Sequence, residues 1–121
     1  MKAQPNTNTP QRVQLSRTKG WRMPPDTKKV DRTTRWGNPF VIDVDGNQER
    51  CVELCRRLLQ GEPLPAGTLT AERKTYRELV LREVRALHGL NLACWCKPGT
   101  PCHADVLLAL AEGDRLRPEN S

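Results

Sequence analysis

The spacing of apolar positions along the chain switches between two periods. From Arg12 to Arg17, Val13 and Leu15 alternate with polar neighbours and predict a short first strand; Lys28 to Arg32 predicts a second. Between them Gly20, Pro24 and Pro25 break any regular element. Arg35-Trp36-Gly37-Asn38-Pro39-Phe40 predicts a tight turn, with Pro39 holding Asn38 out of the helical region, and Phe40 to Val44 reads as a short extended run ended by Asp45-Gly46. From Gln48 to Gln60 the period becomes helical: Cys51, Val52, Cys55, Leu58 and Leu59 share a face, and Asn47 stands at the N-cap. After a linker with Pro63 and Pro65, a second helix is predicted from Ala71 to Leu87, with Tyr76, Leu79, Val80, Val84 and Leu87 inward and His88-Gly89 closing it. Leu90 to Cys96 returns to a period of two, with Leu90, Leu92, Cys94 and Cys96 on one face. Pro98, Gly99 and Pro101 stop that strand, and a helix starts at once with His103, Val106, Leu107 and Leu110 on one stripe.

Short strands alternating with helices predict an α/β fold: a small single-domain sheet of three to four short strands with helices packed against it. The chain has 121 residues, enough for one core without covalent staples. Its polar ends set the expected boundaries: a disordered tail over 1–10, one α/β domain over 11–113 and a polar tail over 114–121. Five cysteines form an odd set and no signal peptide opens the chain, so a reducing, cytoplasmic setting is expected and a disulfide framework is not. The longest apolar run, Val106 to Ala111, is too short for a bilayer, so no membrane contact is expected. Oligomeric state is left open.

Charge changes the picture more than composition does. Residues 1–35 carry nine Lys or Arg against Asp26 and Asp31, so the net charge of +6 comes wholly from the first third of the chain. A focused positive field attracts phosphate, whether of a nucleotide or of a nucleic-acid backbone; a merely solvated basic surface is the plainer reading.

The candidate chemistry lies in Cys94-Trp95-Cys96-Lys97-Pro98-Gly99-Thr100-Pro101-Cys102-His103. Cys102 and His103 fall in the first turn of the last helix, where free N–H groups and the helix dipole favour a thiolate. They are the candidate catalytic pair, as nucleophile, base or polar orienter. Cys94 and Cys96 are candidate ligand-binding residues, with core packing as the alternative. No metal and no cofactor is expected, because a single residue between Cys94 and Cys96 and the adjacency of Cys102 to His103 fit a tetrahedral ion poorly. Arg17, Arg22, Arg32 and Arg35 are candidates to fork onto phosphate. Trp21 and Trp36 are candidates to stack on a base or to fill the core, and Gly37 and Asn38 to shape the turn between them.

Three blocks carry a resemblance: Arg17-Thr18-Lys19-Gly20-Trp21-Arg22-Met23-Pro24, Arg35-Trp36-Gly37-Asn38-Pro39-Phe40, and Leu92-Ala93-Cys94-Trp95-Cys96-Lys97-Pro98 running on to Cys102-His103-Ala104-Asp105-Val106-Leu107. With them, from about Val13 to Glu112, the chain resembles the domain of unknown function 4326, a small family of bacteria and bacteriophages. Related sequences tend to carry glycine where Asp31 precedes Arg32. The family name implies no activity, so function rests on the residues, and whether the protein is an enzyme stays open. A crevice lined by arginines and a Cys–His pair would bind or process a nucleotide or related phosphorylated ligand. The alternative is a basic accessory protein that binds nucleic acid, with its cysteines structural or metal-binding.

Overall fold

The computed structural model describes residues 10–113; the predicted tail over 114–121 and all but Pro10 of the tail over 1–10 lie outside them. Three parallel strands form the sheet: β1 (Arg12–Gln14), β2 (Thr27–Lys29) and β3 (Asn91–Cys94), in the order β1-β3-β2. Three helices accompany them, α1 (Gln48–Gln60), α2 (Ala71–Glu83) and α3 (His103–Ala111), so the fold is a small α/β domain. Helix α3 packs on β3 and β1, and α1 packs on both α2 and α3.

The central strand differs from its expected alternation. Leu92, Ala93 and Cys94 are all buried, because a middle strand of a parallel sheet is covered on both faces. Its register with β1 pairs Val13 with Ala93, and with β2 pairs Lys28 with Leu92. The ladders run just beyond the strands, with Leu15 N–H donating to the Cys94 carbonyl (2.7 Å) and Val30 N–H to the Ala93 carbonyl (2.9 Å). Both edge strands are three residues long, shorter than the expected Arg12–Arg17 and Lys28–Arg32, since beyond Leu15 and Val30 neither segment continues the ladder with β3.

The extended run over Phe40–Val44 is corrected. Its backbone bonds are local, from Val44 N–H to the Val41 carbonyl and from Val41 N–H to the Asp45 carboxylate, so it curls into a turn and adds no fourth strand. The helix expected over Ala71–Leu87 ends at Glu83 and tightens into a 3-10 turn over Val84–Leu87, which keeps Val84 and Leu87 in the core. Helix α1 has the expected limits. Asn47 accepts from Arg50 N–H, and Gly61 at φ 76 lets the chain leave in the left-handed conformation.

Val30, Phe40, Leu58, Leu92 and Leu107 are fully buried at the centre of the core. Trp36 lies there too, and Tyr76 donates its hydroxyl to the Trp36 carbonyl (3.1 Å). No helix among the described residues is long and apolar enough to cross a membrane.

Candidate thiol-lined cavity

All three strands point the same way, so the segments that follow them meet at one edge of the sheet, where open α/β sheets take ligands. Asp31 to Thr33 follow β2, and Trp95 and Cys96 follow β3. The Trp95 indole N–H donates to the Asp31 carboxylate (2.9 Å), and the Arg17 guanidinium, from the segment after β1, lies over the Trp95 ring at 4.2 Å. Beneath this junction is a cavity of about 280 Å³, walled by these residues, by Ile42 and by Val52 of α1, and reaching Cys94, Cys96, Cys102 and His103.

Cysteine occupies the N-cap of α3, a position usually filled by an oxygen-bearing side chain. The Cys102 sulfur accepts from Ala104 N–H at 3.5 Å and stands 3.0 Å from the Cys94 sulfur. The sulfurs of Cys94, Cys96 and Cys102 all lie within 4.8 Å of one another. Short as the Cys94–Cys96 spacing is, the three sulfurs converge because the Pro-Gly-Thr-Pro loop turns back and sets Cys102 against the end of β3; His103 is not among the group.

Arg12, which the sequence did not single out, secures this turn. Its guanidinium donates to the carbonyls of Lys97 and Thr100 (2.7 Å each) and pairs with Asp105 at 2.7 Å. Gln48 of α1 donates to the Pro101 carbonyl from the other side.

The three thiols do not ionise alike. The hydrogen bond between the Cys94 and Cys102 sulfurs lowers the Cys94 pKa to about 6, and the same bond, with burial, raises that of Cys102. Burial also raises Cys96. The thiolate expected from the helix start is not favoured at Cys102, which is buried and whose pKa is raised by its bond with Cys94 and by burial. Burial holds the His103 pKa below its ordinary value. Its Nε2 lies 2.8 Å from the Val30 carbonyl, which can only accept, so Nε2 carries the proton. Nδ1 then holds the lone pair, 3.9 Å from the Cys102 sulfur. A neutral base and three sulfurs thus face one small space. Asp31, although burial opposes it, is kept ionised by bonds from Thr33 and Trp95.

Of the residues singled out from sequence, Arg32, Asn38, Cys94, Cys96, Cys102 and His103 line this cavity. Asn38 spends its side chain on the Cys51 carbonyl and Phe40 N–H. Arg32 gives two N–H groups to the carbonyls of Asn38 and Phe40, and no carboxylate among the described residues lies within 4.0 Å of it. Gly37 supports that clasp, because a Cβ there would lie 2.6 Å from the Arg32 Cα.

Others stand apart. Arg35 pairs with Glu83 and lies over Trp36, in a groove lined by Lys28 and Lys29 rather than at the cysteines. Trp36, a candidate to stack on a base, is enclosed by the core. Trp21 and Arg22 are exposed on the loop before β2, and Arg17 reaches the cavity only through Trp95. Contributors the sequence did not mark as site residues include Arg12, Thr33, Ile42, Gln48, Val52 and Trp95. Trp95 left a signal by standing between two cysteines, and Asp31 by standing where related sequences tend to carry glycine.

Fold and site together define a small α/β domain with a thiol-lined cavity at the carboxyl end of a parallel sheet. By sequence the chain belongs to the family described as Domain of unknown function (DUF4326), whose model matches residues 13–113. Searches of curated proteins and of solved structures find no match.

Proposed function

We propose that the protein binds, and has the groups to process, a nucleotide or related phosphorylated ligand in the thiol-lined cavity. One observation carries this reading: Arg32, with no carboxylate partner among the described residues, shares the cavity wall with the apolar side chains Ile42 and Val52 and the Trp95 indole. An apolar slot accepts a heterocyclic ring. A guanidinium with two of its five N–H groups spent on carbonyls retains three for an anion. The volume of about 280 Å³ lies just below the roughly 300–1,000 Å³ usual for small-molecule sites, which favours a mononucleotide over anything larger.

The test is a thermal-shift and calorimetric comparison of nucleotides on the parent, Val52→Trp and Arg35→Ala. A ligand at a hundred times Kd stabilises the parent by about 2.7 kcal/mol. Val52→Trp fills the cavity and abolishes that shift, while Arg35→Ala keeps it because Arg35 lies elsewhere. Unchanged binding in Val52→Trp would overturn the reading. Binding of only long DNA, with steep loss in salt, would favour instead the exposed cations Lys19, Arg22, Lys28 and Lys29 as a nucleic-acid surface.

A further inference from the structure

We propose that Cys94, Cys96 and Cys102 form a three-thiolate site for one zinc ion, or a metal of the same soft class, with its fourth coordination position open to the cavity. The inference does not depend on what the cavity binds.

Distance is the first ground. The Cys94 and Cys102 sulfurs are 3.0 Å apart and all three lie within 4.8 Å of one another. Zinc–sulfur bonds of about 2.3 Å in a tetrahedron put sulfurs about 3.8 Å apart, inside that range. Among the described residues this is the only gathering of three or more potential ligands, and it is built from thiols alone, the donors that select zinc and its soft relatives.

The surroundings are those of a prepared site. Cys102 caps α3 with a sulfur where an oxygen is usual, and a metal-bound thiolate answers the Ala104 N–H and the helix dipole better than a neutral thiol. Arg12 fixes the loop that joins Cys96 to Cys102 by gripping Lys97, Thr100 and Asp105. Its charge also offsets the net single negative charge of three thiolates around a divalent ion.

Plain packing explains less. Cys51 and Cys55 show what ordinary buried thiols look like here, each meeting an oxygen of its own, the Gly46 carbonyl at 3.7 Å and the Tyr76 hydroxyl at 3.9 Å. A Cys94–Cys102 disulfide would use two sulfurs and leave Cys96 without a part. Three ligands from the protein and one open position are the pattern of catalytic rather than structural zinc, and here the opening faces a ligand-sized cavity that all three cysteines line.

The full-length protein, reduced and freed of metal, is titrated with zinc against a chromophoric chelator and with cobalt under absorption spectroscopy. We expect one ion per chain, thiolate-to-cobalt charge-transfer bands, and proton release on binding. Cys96→Ser, at the least buried of the three, weakens zinc binding by more than the roughly 10–100-fold that loss of an outer partner costs, and Cys96→His restores much of it. Cys55→Ala binds as the parent does. Absence of charge-transfer bands in the parent, or equal zinc affinity in parent and Cys96→Ser, overturns the proposal. So does a parent that forms the Cys94–Cys102 disulfide in air and, when reduced, takes no zinc from the chelator.

Discussion

Replacing Arg12 by methionine keeps the apolar stem and removes the fork that holds the cysteine loop. Three contacts are lost, and they are not equal. The pair with Asp105 is half in solvent, since that carboxylate side chain is 57% exposed, so it falls with surface pairs worth about 0–1 kcal/mol. The bonds to the Lys97 and Thr100 carbonyls come from a charged donor whose side chain is only 12% exposed, and such bonds are worth roughly 1.5–3 kcal/mol each. Water can reach the Lys97 carbonyl once the fork is gone, which returns part of that bond. A net loss of about 2–3 kcal/mol follows, or a Tm lower by roughly 8–20 °C for a domain of this size. Part of the loss is local, because residues 97–101 have few other anchors. Differential scanning calorimetry reads the global part, and the rate at which a thiol reagent reaches buried Cys102 in the native protein reads the local part. A Tm within about 2 °C of the parent, together with unchanged Cys102 labelling, would refute the idea that Arg12 holds the cluster together.

Gly37→Ala drives a methyl group to 2.6 Å from the Arg32 Cα and 2.9 Å from the Asp31 carbonyl oxygen, so backbone must shift; chemical denaturation should show a loss of about 1–3 kcal/mol. Phe40→Ala empties the fully buried centre of the core and should cost about 3–5 kcal/mol by the same assay, with loss of the Arg73 guanidinium stacked 4.1 Å above the ring. Hydrogen bonds from Arg56 and Arg57 depress the Glu53 pKa from 4.5 to about 2, so its contribution is full above pH 4.5 and fades as pH falls towards 2. With these side chains about a third exposed, solvent screening keeps that contribution below about 1 kcal/mol. The Tm difference between parent and Glu53→Gln, followed by circular dichroism, should shrink across that acid window and in high salt; a difference that grows on acidification would contradict the pairing.

Elements whose signals are local were readable from the chain. Asn47 marks the start of α1 because capping depends on a few adjacent residues, and the Pro-rich stop after β3 set the start of α3. The fate of the arginines was not readable, since a guanidinium that takes carbonyls and one that takes phosphate look alike in sequence. Arg32 turned to the Asn38 and Phe40 carbonyls, Arg35 to Glu83, and Arg12 to the cysteine loop, each by a neighbour that only tertiary structure supplies. The same holds for the thiols. Sequence spacing counts residues between Cys96 and Cys102, whereas the distance between sulfurs depends on how the intervening loop closes. The short run after Phe40 misled for another reason: apolar residues in a tight turn mimic a strand when no partner strand is known.

The strand order has a consequence for how the chain reaches this state. Every backbone ladder in the sheet runs through β3, and its partners lie about 64–80 residues earlier, as the Asn91–Thr27 and Arg12–Leu92 pairings require. Neither edge strand can pair with anything until residues 91–94 have been made, although α1 and α2 lie upstream and can form locally. Closing a loop of that length costs about 1.8 kcal/mol more in chain entropy than closing one of ten residues, and only three or four residues of ladder on each side repay it. Formation of the sheet is therefore the late, entropically costly event, and the sulfurs and the cavity come into being with it. During synthesis Cys51 and Cys55 emerge well before α3, so the nascent chain carries these thiols at a stage when a helix that packs on α1 in the finished core does not yet exist.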